Sequence, residues 1–112
     1  MNWDKRSDDL HRSNRGKIRI NPIIPLDDKD DLSTAYTPGV ASPTKHIARD
    51  EANADIYTSR KRNVAIATNG TAVLGLGNTG ATASIPVMEG KAALFKRLAG
   101  IDGYPLPVDE AN

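Results

Sequence analysis

Two short apolar runs, NVAIATNG at 63–70 and YPLPVDE at 104–110, bracket the segment PVMEGKAALFKRLAG at 86–100, and this order constrains the fold more than any other feature of the sequence. The first run reads as a strand closed by an Asn69-Gly70 turn. The last reads as a short strand that Pro105 and Pro107 confine to an edge or an end. The middle segment has helical periodicity, begins near Ser84 to Pro86, and stops at Gly100, whose missing side chain suits a left-handed cap. Strands alternating with a helix predict an α/β fold.

On that helix, at about 100° per residue, Val87, Met88, Ala92, Leu94, Phe95, Leu98 and Ala99 fall in one apolar arc, with Glu89, Lys96 and Arg97 opposite. Lys91 lies near the middle of the arc. Desolvating an ammonium is costly, so the sequence predicts an inward lysine that either snorkels or has a chemical task.

The remaining 62 residues on the amino-terminal side are more polar. Residues 3–14 carry a weak helical pattern with Gly16 as its stop, and KIRINPIIPL at 17–26 reads as an edge strand running into a loop. The aspartates of DDKDD at 27–31 suit a solvated helix entry, where they favour the N-terminal dipole. Pro38-Gly39 predicts a type II turn with Gly39 at positive φ, and Ser42-Pro43 predicts an N-cap and first helical residue. Tyr36 is thereby held just before a rigid corner.

With 112 residues, one domain with a modest core is expected, built mainly from Ile, Val, Leu and Ala because there is one Phe, one Trp and three Tyr. Fifteen basic and fourteen acidic residues leave a net charge of +1, which gives no electrostatic case for nucleic acid or a membrane surface. The basic cluster His11, Arg12, Arg15, Lys17 and Arg19 reads as a solvated helix end. The absence of cysteine and of any apolar leader or span fits a soluble cytoplasmic protein.

Gly75, Gly77 and Gly80 spell G-x-G-x-x-G ahead of the helix, with Asp102 and Asp109 downstream. Such glycines can cradle a dinucleotide pyrophosphate on backbone N–H groups, or simply shape a tight loop. Spacing alone leaves both readings open.

The stretches LHRSNRGKI, DLSTAYTPGVA, TNGTAVLGLGNTG and PVMEGKAALFKRLAGID, in this order over roughly residues 8–109, closely resemble the amino-terminal domain of bacterial malic enzymes. The resemblance implies a small, mostly parallel sheet flanked by helices, with residues 1–112 forming that domain and no Rossmann domain. It implies oxidation of L-malate with NAD or NADP and decarboxylation to pyruvate, using Mg²⁺ or Mn²⁺. It further implies that Tyr36, in the YTPGV motif, is the acid that protonates enolpyruvate at C3, and that Lys91, in MEGK, is the base that takes the C2 hydroxyl proton. Burial on an apolar helix face and a nearby metal ion would both favour a neutral amine for that task.

The resemblance assigns Gly75, Gly77 and Gly80 to backbone shaping, since nucleotide binding belongs to a carboxy-terminal domain in that family. Asn69 and Asn78 stand where many members carry aspartate. The family's metal ligands and nucleotide fingerprint have no counterpart here, so the expected partner is a chain or domain that supplies them, in an assembly that is a homo-oligomer when complete. The chain alone is expected to be inactive. A malolactic enzyme fragment and a non-catalytic interaction module are the alternatives.

Overall fold

The computed structural model describes residues 1–110. Among them the helices are α1 (Trp3–Asn14), α2 (Lys29–Ala35), α3 (Ala41–Arg49), α4 (Ala54–Tyr57) and α5 (Ile85–Ala99), and the strands are β1 (Asn63–Thr68) and β2 (Asp102–Pro107). The chain divides into two units, one made of Met1–Arg19 together with the region from Arg62 onward, the other of Ile20–Lys61.

In the first unit β1, α5 and β2 form the expected α/β unit. The strands are parallel, in a register that pairs Asn63 with Asp102 and Thr68 with Pro107. Helix α5 connects them, as a parallel pair requires a crossover. Its bounds follow the sequence signals: Ser84 precedes it, Pro86 sits in the first turn, and Gly100 adopts φ 68° at the left-handed cap. The helix packs on one sheet face through buried Met88 and Ala92. Gly103 permits this approach, because a Cβ there would lie 3.3 Å from the Ala92 Cα and 3.4 Å from the Ile66 side chain. On the other face Ala65, Ala67, Tyr104 and Leu106 are exposed.

Both prolines fit β2 for a hydrogen-bonding reason. The Val108 N–H donates to the Thr68 carbonyl at 2.8 Å. Successive residues of a strand point their N–H groups to opposite sides, so positions 105 and 107 face away from β1 and their missing donors cost no ladder bond.

The turn from α5 into β2 carries an ion pair. Asp102 accepts from Lys96 at 2.8 Å and faces Arg62 at 3.8 Å. The Lys96 hydrogen bond, helped by the charges of Lys96 and Arg62, holds the Asp102 carboxyl below its usual range. A carboxyl lowered on folding stabilises above its unfolded value and loses that contribution as pH falls through the folded value. Asp102→Asn is therefore expected to lower the melting temperature slightly at neutral pH. The gap from wild type should close on acidification, which thermal melts across the carboxylate range would check.

Helix α1 forms as expected, capped by Asn2, whose side chain accepts from the Lys5 N–H at 3.0 Å. Its left-handed terminus is Arg15 at φ 52°, one residue before the expected stop, followed by Gly16 at φ 106°.

In the second unit α2 begins as the aspartates foretold. Asp28 accepts from the Asp31 N–H at 2.8 Å, and Asp31 reaches back to the Asp27 N–H at 3.0 Å. Within this unit α3 and α4 are joined by the stacked rings of His46 and Tyr57, with centroids 5.3 Å apart.

Two sequence expectations fail here. Residues 17–26 form no strand. Pro22 and Pro25 remove donors, and among the described residues the sheet holds only β1 and β2, which leaves the segment no strand to pair with there. The core is also smaller-grained than expected: Ala54 is the buried apolar residue of the second unit, and Val73, Ala81, Met88 and Ala92 are those of the first. Large aliphatics such as Ile20 and Ile23 are about four-fifths exposed, at 79% and 81%. Among the described residues no helix is long and apolar enough to cross a membrane.

Candidate active site

Lys91 belongs to the first unit and Tyr36 to the second. The segment Met88 to Lys91 divides its tasks residue by residue. Met88 is buried beneath the helix. Glu89 accepts a hydrogen bond at 2.8 Å from the Lys17 N–H, 72 residues earlier in the chain. The Lys17 side chain passes Gly90 at ordinary contact distance, 3.7 Å from where a Cβ would be. Lys91 points away from this anchorage and is exposed, with no hydrogen bond or ion pair among the described residues.

The expectation of an inward Lys91 is thus corrected. The apolar arc of α5 is wider than the surface it packs on. Its Met88 and Ala92 side meets the sheet, whereas Leu94 is 58% and Leu98 79% exposed. Residues three and four apart share a helix face, so Lys91 stands between Val87 and Leu94 in an open apolar stripe.

The contact between Lys17 and Glu89 has a specific shape. Gly16 lies so close that a Cβ would sit 2.6 Å from the Glu89 carboxylate oxygen. The Lys17 ammonium in turn meets the His11 Nε2, while His11 Nδ1 lies 2.7 Å from the Ser7 carbonyl. A carbonyl only accepts, so Nδ1 carries the proton. These contacts tie the end of α1 to α5.

Tyr36 ends α2. Its N–H donates to Leu32 at 2.9 Å and its carbonyl accepts from Val40 at 2.7 Å. The ring is 66% exposed and its hydroxyl has no partner among the described residues. The rigid corner exists, but not as the expected turn. Gly39 has no positive φ, and the Thr37–Pro38 peptide is cis. Gly39 is needed for closeness instead: its N–H donates to Ser33 at 2.9 Å, and a Cβ would lie 2.7 Å from that same carbonyl oxygen. Ser42 is not the N-cap. Helix α3 starts at Ala41 after Val40, which makes no side-chain cap bond. Pro43 then sits in the first turn, where a helix has no partner for an N–H.

The glycine segment closes on itself. Thr79 and Gly80 both donate to the Gly70 carbonyl, at 2.9 and 3.2 Å, and Gly77 donates to Val73 at 2.8 Å. Gly75, Gly77 and Gly80 all have positive φ, with open space where a Cβ would be. The N–H groups of Gly77 and Gly80 are engaged within the loop. Asn69 and Asn78 use their side-chain oxygens within the loop, toward Thr71 at 3.2 Å and Gly80 at 3.2 Å. A carboxylate could accept the same bonds. Beside this loop, at the carboxyl end of β1, a cavity of 670 Å³ is lined by Thr68, Asn69, Thr71 and Val108 among others. Crevices at the carboxyl ends of parallel strands are where α/β folds place ligands.

The sequence profile of "Malic enzyme, N-terminal domain" matches residues 15–112. The chain belongs to the malic enzyme family. It is 56% identical over 105 residues to an NADP-dependent malic enzyme of Rhizobium meliloti, covering 93% of this chain and 14% of that one. It is 48% identical over 100 residues to a bifunctional malic/malolactic enzyme of Bacillus subtilis, covering 89% of this chain and 24% of the other. The crystal structure of malic enzyme from Pyrococcus horikoshii superposes with a TM-score of 0.91 at 44% identity, covering 96% of this chain and 25% of that one. The chain thus spans a quarter or less of these relatives. Relatives named as NAD-dependent and as NADP-dependent both match.

Among the described residues no three His, Asp or Glu are grouped to hold a cation. In the glycine loop two of the three glycine N–H groups are taken by carbonyls of the loop itself.

The tie between Lys17 and Glu89 escaped sequence reasoning, as did a basic concavity along α3. Residue spacing carries no signal for a contact 72 positions apart.

Proposed function

We propose that residues 1–112 are the amino-terminal catalytic portion of a malic enzyme that converts L-malate to pyruvate and CO₂, incomplete as this chain alone. One observation carries the reading: the malic enzyme N-terminal domain profile matches residues 15–112, the span that contains both Tyr36 and Lys91.

In this reading Lys91 Nζ takes the proton from the malate C2 hydroxyl. The Tyr36 phenol delivers a proton to C3 of the enol that loss of CO₂ leaves. Positioned acids and bases of this kind contribute about 10²–10⁴-fold each. The hydride acceptor, NAD or NADP, and the divalent ion, Mg²⁺ or Mn²⁺, are assigned to the remainder of the enzyme, together with the groups that hold them. The cysteine-free composition suits the cytoplasm.

The test is malate-dependent reduction of NAD and NADP with Mn²⁺, measured on the chain alone and after mixing with the remaining region of a malic enzyme. Reduced cofactor and pyruvate should appear only in the mixture. Association of the two folded parts without any malate turnover would overturn the proposal, and lactate as product would move the assignment to malolactic chemistry.

A further inference from the structure

In the second unit the residues Ser42, Lys45, His46 and Arg49 recur along α3 at the i, i+3, i+4, i+7 spacing that puts them on one face. Together with Pro38 and Gly39 they line a concavity of 350 Å³. No carboxylate lines it. This volume lies at the lower end of the range for small-molecule sites, about 300–1,000 Å³.

Three features make this more than a solvated basic face. First, Lys45 and Arg49 have no ion-pair partner among the described residues. Second, two nearby acids are engaged elsewhere: Asp50 accepts from the Ala52 N–H at 3.1 Å, and Asp55 pairs with Arg60 at 2.9 Å. Third, His46 is fixed from behind. Its ring stacks on Tyr57 with only 7° between planes, and its carbonyl accepts from the Asn53 side chain at 2.8 Å. The site therefore offers a guanidinium fork, an ammonium, an imidazole on a braced ring and a hydroxyl around one hollow. Such donors recognise oxygen anions, with arginine binding two oxygens at once.

We infer that this hollow binds a small anion bearing two or more negative charges on oxygen, a phosphate group or a dicarboxylate. The ligand lies among Ser42, Lys45, His46 and Arg49, drawn by charge and oriented by the arginine fork. The inference rests on this unit alone and does not depend on the catalytic reading above.

The experiment uses the 112-residue chain and follows backbone amide chemical shifts during titration with inorganic phosphate, with malate, and with chloride at matched ionic strength. Saturable shifts centred on Ser42, Lys45, His46 and Arg49 are expected with at least one of the first two. A stronger response to phosphate identifies a phosphate group as the preferred ligand, and a stronger response to malate a dicarboxylate. Lys45→Gln or Arg49→Gln should each weaken binding by about tenfold or more, the range of one charge-assisted hydrogen bond. Both residues are exposed, and Lys45→Arg serves as a charge-conserving variant that should retain binding. Shifts no larger than those with chloride, or affinities unchanged by both glutamine variants, would overturn the inference.

Discussion

Lys91→Ala in an enzyme assembled around this chain is expected to reduce malate turnover by about 10²-fold or more, with no loss of folding stability. The two halves of this expectation have separate grounds. Stability should hold because the Lys91 side chain is exposed and makes no hydrogen bond or ion pair among the described residues. Its helix stays attached through Met88, Ala92 and Glu89, and alanine is the better helix former. Turnover should fall because the proposed proton acceptor is gone. Tyr36→Phe is the companion variant, deleting one hydroxyl from a ring that is 66% exposed. It should alter stability by no more than about 0.5 kcal/mol while lowering turnover to a comparable degree. Steady-state kinetics beside thermal melts provide the check. Turnover near wild type in both variants would remove Lys91 and Tyr36 from the mechanism.

Gly70→Ala should produce the largest loss of stability in the first unit, about 3 kcal/mol or more. Gly70 has φ +74°, and a Cβ would sit 1.9 Å from the Gly80 carbonyl oxygen and 2.8 Å from the Ala81 nitrogen. These obstacles are backbone atoms, held where they are because Gly80 and Thr79 donate to Gly70 itself. No side chain can swing aside to make room. Gly80→Ala and Gly75→Ala give the contrast: both have positive φ but open space around the added atom, so each should cost about 1 kcal/mol. Thermal melts of the three variants would separate steric exclusion from backbone strain. Equal losses at all three positions would mean that the contact between Gly70 and Gly80 adds nothing to the fold.

The elements legible in the sequence are those with local causes. Helix α5 follows from its period, its early proline and Gly100, and β1 from an apolar run ended by Asn69-Gly70. The aspartates that open α2 act within one helical turn. Non-local causes explain the failures. Residues 17–26 alternate like a strand, yet a strand needs a neighbour, and alternation does not supply one. Pro38-Gly39 has the composition of a type II turn, but the carbonyls ending α2 press against Gly39 and impose a different path. The helical period singles out Lys91 and the resemblance gives it a role, but the period misjudges its environment. An apolar arc tells which residues prefer burial, not which of them have anything to lie against.

The placement of Pro105 and Pro107 bears on how the sheet can be extended. The outer side of β2 lacks donors at two successive outward positions, so it makes a poor template for another strand. The outer side of β1 has no such gap, since Ala65 and Ala67 retain their N–H groups there. The sheet is therefore polarised, with β2 as its finished border and β1 as the border open to growth. Any further strand, from a longer chain or from a neighbouring molecule, would add beside β1, placing β1 at the centre of the enlarged sheet.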